Sequence, residues 1–146
     1  MRNKKKLISA FFGVIVSLVL YIQSTPSNAN TGLTQEKTSS LQQAYEDRRS
    51  DVQVRGIGSV VKVLKDDTKG HKHQKFILRL ESKLTILIAH NIDLAPRINS
   101  LQKGDRVEFF GEYEYNKKGG VVHWTHHDPQ SRHTDGYLKH NGKTYK

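Results

Sequence analysis

From Asp51 onward apolar residues recur at every second position, and this alternation constrains the fold more than any other feature of the chain. A period of two marks half-buried β-strands, because successive side chains point to opposite faces. Val52, Val54, Val60, Val61, Val63 and Leu64 form a long first strand. Gly56 and Gly58 interrupt it, and the apolar phase flips at Val60-Val61, as expected of a bulge. After turn residues at 65–70, Phe76, Leu78 and Leu80 alternate with Lys75, Ile77 and Arg79 in a second strand. Leu84 to Ala89 is a third, almost wholly apolar strand, and His90 to Lys103 is a connection containing Pro96 with room for one helical turn. In the fourth strand Val107, Phe109, Tyr113 and Tyr115 share one face, with Glu108, Glu112 and Glu114 on the other. Asn116 to Gly120 is a hairpin leading into a fifth strand, Val121 to Asp128. Asn141-Gly142 marks a small C-terminal hairpin. Five strands, a glycine-kinked first strand and a crossover between the third and fourth predict an all-β domain with small α content. The expected architecture is a five-stranded OB-fold-like barrel over residues 51–146; a generic small β-sandwich is the alternative.

The N-terminal part follows different rules. Arg2-Asn3-Lys4-Lys5-Lys6 is basic, and Leu7 to Ile22 is an apolar run of 16 residues. Ser27 and Ala29 then place small residues at −3 and −1 of a cut after Ala29. This is the layout of a cleaved signal peptide, residues 1–29. It predicts export to the periplasm or the extracellular space. The alternative, a membrane anchor formed by an uncleaved leader, has a run shorter than the roughly 20 residues a span needs. Residues 30–50 read as a lead-in helix or tether, with Ser39 or Ser40 as cap and Leu41, Ala44 and Tyr45 as a narrow apolar stripe.

The 146 residues allow one domain, and 35% hydrophobic residues suffice for one compact core. There are no cysteines, so a small exported domain here cannot lean on disulfides. Net charge is +10, of which Arg2, Lys4, Lys5 and Lys6 belong to the leader. The rest keeps a moderate basic excess, suited to polyanions or simply to solubility.

Three segments carry a resemblance: 73–80 (HQKFILRL), 89–98 (AHNIDLAPRI), and 111–116 (GEYEYN) followed by 119–129 (GGVVHWTHHDP). Together they resemble an uncharacterised family of short exported bacterial proteins, domain of unknown function 3465. The resemblance runs from about Val52 to Tyr145, with the histidine-rich third segment its most specific part. It implies an exported OB-like domain and brings no activity with it.

Seven of the eight histidines lie between His71 and His133. In an OB barrel the start of the second strand, the end of the third and the end of the fifth share one rim. That topology gathers His71 and His73, His90, and His126, His127 and Asp128, with Arg132 and His133 close behind. Imidazole with a carboxylate suits a divalent transition metal such as zinc, and His90, His126, Asp128 and His73 are the expected ligands. No standard zinc spacing is present.

Two functional classes follow. The first is an exported, basic OB-fold binding module with a histidine-rich rim, taking a divalent metal and a polyanionic ligand, either single-stranded nucleic acid or an acidic glycan. Lys75 and Arg79 would supply charge, with Trp124 and Tyr113 for stacking. The alternative is a metal-dependent phosphodiesterase or nuclease-like hydrolase, with His126, His127, Arg97 and Arg132 as candidate catalytic groups. No serine-histidine-aspartate context, glycine-rich phosphate loop or catalytic cysteine is present, so the residues do not decide between enzyme and binder. The sequence leaves the oligomeric state open.

Overall fold

The computed structural model describes residues 40–146; the signal-peptide reading of 1–29 and the first part of the lead-in lie outside the described residues. Seven strands follow one short helix: β1 Val52–Val63, β2 His73–Arg79, β3 Thr85–Asn91, β4 Arg106–Glu114, β5 Val121–His123, β6 Tyr137–His140 and β7 Lys143–Tyr145. β1 is long enough to serve two neighbours. Its first half, from Val52 to Ser59, pairs antiparallel with β4, and its second half pairs with β2. The register slips between Val60 and Lys62, where the apolar phase flips, so the strand coils around the core.

The sheet runs β1-β2-β3-β5-β4 and closes through β1–β4, with β3–β5 parallel. This is the five-stranded, all-β, OB-like barrel that the alternation predicts. β6 and β7 extend it as a hairpin whose turn is left-handed at Asn141 and Gly142 (φ 47° and 77°). Phe76, Leu78, Ile86, Ile88, Val107, Phe109, Tyr113, Val122 and Leu138 fill the interior. Gly56 faces the Phe109 ring, whose nearest atom would lie 2.7 Å from an added Cβ, so glycine here makes room for the aromatic core. Helix α1 (residues 40–46) buries Leu41 and Ala44 in the same core and lays Tyr45 on Tyr115, ring centroids 5.7 Å apart.

The β3–β4 connection holds a single helical-type turn, Ala95 N–H to Asn91 O at 3.2 Å. Buried Gln74 pins this segment across the end of the barrel. Its amide donates to Ile98 O and accepts from Ile98 N–H, both at 2.9 Å. A buried amide satisfied on both sides costs little and fixes one loop position.

β5 is shorter than its sequence pattern. It ends at His123, not Asp128, because the edge of β4 is shared. β5 pairs with Glu112–Glu114, and β6 takes over at Val107–Phe110. Trp124 leaves the strand in a left-handed conformation (φ 50°), rare for a bulky residue. The period-two faces expected for residues 124–128 therefore do not hold, and Thr125, His126 and Asp128 are all buried.

Candidate functional site

The segment released from β5 folds over the outer ends of β2 and β3 and encloses a cavity of about 620 Å³. Its walls include His71 and His73 from the β2 approach, Ala89 and Asn91 from β3, and His123, Trp124, His126 and Arg132 from the far side. The three distant stretches thus meet at one rim.

Gly136 explains how the lid closes. A Cβ there would lie 2.0 Å from Trp124 O and 2.5 Å from Phe110 O, so only glycine lets the returning chain pass beneath these carbonyls. Its N–H donates to His126 O at 2.9 Å. The loop between is organised by Asp128, whose carboxylate accepts backbone N–H groups of Gln130 (3.0 Å), Arg132 (2.7 Å) and His133 (2.9 Å). These donors, Gln130 first, hold the Asp128 carboxyl below its usual range. Asp135 accepts from Asp128 N–H and from His127 Nδ1 at 2.6 Å, and both bonds lower its pKa as well.

Trp124 sits at the centre of the lining. The His133 ring stacks on its indole at 3.8 Å with planes 12° apart, and His126 leans against it at 5.4 Å. Two cavity imidazoles have their tautomers fixed by backbone carbonyls, which can only accept. His126 Nδ1 donates to His127 O (2.7 Å) and His73 Nδ1 donates to His71 O (2.8 Å). Each Nε2 is left as a bare acceptor with no hydrogen-bond partner among the described residues. Arg132 lines the same space; among the described residues its guanidinium makes no hydrogen bond or ion pair, and its charge acts on the Asp128 carboxylate, whose pKa it helps to lower.

A family model described as Protein of unknown function (DUF3465) matches residues 16–146. The chain belongs to the DUF3465 family. No curated protein matches it.

In this DUF3465 barrel the expected metal set is divided. His73 and His126 share the cavity with free Nε2 atoms. Asp128 reaches the same rim, but its oxygens are spent on backbone N–H groups. His90 is 0% exposed inside the barrel end. Its Nε2 donates to Pro96 O at 3.2 Å, so Nδ1 accepts from the Thr125 hydroxyl at 2.9 Å. Burial pushes its pKa down to about 4, and the ring stays neutral. His90 therefore ties the β3 end to the lid.

The other singled-out residues separate by environment. Lys75 lies on the outer face of β2 and pairs with Asp67 at 3.4 Å. Arg79 is exposed at the opposite end of the strand, away from Trp124. Tyr113 is fully buried and donates to Gly119 O at 3.1 Å, so its ring is packed, not displayed. Arg97 is clamped on Asp66, Nε to Oδ2 at 2.8 Å, and His127 is exposed on Asp135.

Sequence reasoning passed over a second cluster on the outer face of β4 and β5. Glu112, Glu114 and His123 hold ligand-type atoms within 4.8 Å of one another. The two glutamates read as a solvated face, and the signal that joins them to His123 is the β4–β5 register, in which Glu112 faces His123.

Proposed function

We propose that the protein is an exported binding module that takes an unpaired stretch of single-stranded nucleic acid across the Trp124 cavity. The observation that carries this reading is the partly exposed indole, backed by the stacked His133 ring and opening on a cavity edged by the exposed Arg132 side chain. Stacking on an aromatic face is worth about 1–3 kcal/mol per base and tolerates any base. A cavity of about 620 Å³ accommodates one nucleotide, since small-ligand pockets run roughly 300–1,000 Å³. Arg132 provides a charged, planar donor for phosphate, and His126 Nε2 accepts from a base-edge N–H. The location also matches the face that OB barrels generally use, around strands two and three and their flanking loops.

The leader at 1–29 supports an exported role, with the ligand met outside the cytoplasm. The hydrolase reading has less support. It relied on His90, His126 and Asp128 acting together, and two of these three spend their polar atoms on holding the fold. No helix among the described residues is long and apolar enough to cross a membrane.

The test is fluorescence anisotropy with a labelled single-stranded oligonucleotide, with duplex DNA and a sulfated glycan as competitors, over a range of salt. Saturable binding that weakens with salt and yields to unlabelled single strands supports the proposal. Displacement only by the glycan assigns the cavity to sugar, and no binding at low salt removes the nucleic-acid reading.

A further inference from the structure

The cluster beside the cavity has its own chemistry, independent of the polyanion reading. Glu112 and Glu114 stand two residues apart on β4 and so share its outer face. His123 on β5 lies directly opposite Glu112. Its Nε2 is 3.5 Å from Glu112 Oε1 and 3.8 Å from Glu114 Oε1. That nitrogen is fully buried as an atom and makes no hydrogen bond. A buried imidazole nitrogen without a partner carries a desolvation cost that a ligand would remove.

The charge balance points the same way. No lysine or arginine among the described residues lies in ion-pair distance of either carboxylate. Their near neighbours are His123, the Gln53 amide (3.4 Å to Glu112 Oε2) and His133, whose Nδ1 is 3.4 Å from that same oxygen. Two carboxylates gathered around imidazoles, with no lysine or arginine paired to them among the described residues, concentrate ligand-type atoms in an otherwise basic protein.

We propose that Glu112, Glu114 and His123 form a binding site for a divalent transition cation of the zinc class, with solvent water completing its coordination. Zinc bonds to nitrogen and oxygen of about 2.0–2.2 Å put tetrahedral ligand atoms roughly 3.3–3.6 Å apart. The observed separations of 3.5 and 3.8 Å need only small side-chain movements to meet this. Mixed imidazole and carboxylate ligation favours zinc, nickel or copper over magnesium and calcium, which take oxygen ligands. Glu112 is the most buried of the three, its side chain only 14% exposed and in contact with the Gln53 amide. The cation would cross-link β4 to β5 just before the chain turns at Trp124.

Isothermal titration of the purified protein with zinc chloride, without nucleic acid, tests the site. The expected result is one zinc per chain and a raised thermal midpoint. Glu112→Gln should weaken affinity by more than the ~10–100-fold that loss of an outer-shell partner costs. His123→Asn should abolish the heat. Circular dichroism of both variants checks folding, and the more exposed Glu114→Gln provides a third variant that leaves the β4–β5 pairing untouched. No heat with the wild-type protein overturns the proposal. So does zinc binding that survives His123→Asn but disappears in His126→Asn, which would place the metal among the cavity histidines instead.

Discussion

The His133 imidazole lies flat on the Trp124 indole, 3.8 Å between centroids with planes 12° apart. Stacking of this kind fixes one face of the tryptophan and leaves its remaining surface to the cavity. His133 is itself held by its backbone N–H on Asp128, so the platform is rigid because the loop is rigid. Pre-organisation of this type lowers the entropy cost of binding a flexible strand.

Removing the platform should cost affinity without unfolding the barrel. Trp124→Ala is expected to weaken single-strand binding by about 1–3 kcal/mol, or roughly 5- to 150-fold. Arg132→Ala should reduce the slope of log affinity against log salt by about one phosphate contact. Anisotropy titrations at several salt concentrations measure both.

Stability should fall as pH drops from about 6.5 to about 4, and His90 should be the main cause. Its folded pKa is about 4, below the unfolded value of 6.5. Between these values the unfolded chain binds the proton and the folded one does not, so unfolding gains with acidity. The full difference amounts to about 3 kcal/mol, reached below pH 4. Asp128 and Asp135 are depressed carboxylates, so their contributions are lost only at lower pH, as the medium falls through their folded values. Urea melts from neutral pH down through the carboxylate range should show two separable losses, and His90→Gln should flatten the upper one.

Gly136→Ala should be among the most damaging small substitutions. The added methyl meets backbone carbonyl oxygens of Trp124 and Phe110, which cannot swing aside like side-chain ends. Overpacking of this sort costs about 3 kcal/mol. Thermal denaturation gives the loss, and a shifted tryptophan emission maximum would show that Trp124 has moved with it.

Asp128→Asn should loosen the lid more than its size change suggests. One carboxylate oxygen accepts two N–H groups, from Arg132 and His133, and an amide nitrogen placed there would oppose both. Faster hydrogen exchange at the Gln130, Arg132 and His133 amides, with the barrel strands unchanged, is the expected outcome.

Much of this arrangement was legible in residue order. The phase flip at Val60-Val61 located the bulge, and Asn141-Gly142 located the last hairpin. Strand directions alone brought His73 and His126 to one rim. What could not be read was set by distant backbone. Alternation through Trp124, Thr125 and His126 looks like a continuing strand, because nothing local announces a left-handed tryptophan. Its cause is the return of the chain at Gly136 and the claim of β6 on the β4 edge. Asp128 looks like a metal ligand until its backbone donors are seen, and the glutamates of β4 look solvated until the register sets His123 opposite Glu112.

Trp124 is the only tryptophan in the chain, so intrinsic fluorescence reports on the site without a label. Titration with a short single-stranded oligonucleotide at low salt should quench its emission saturably, and added salt should reverse the quenching. Emission that stays constant while the oligonucleotide binds, or that never changes because nothing binds, would contradict a role for this indole as a base platform.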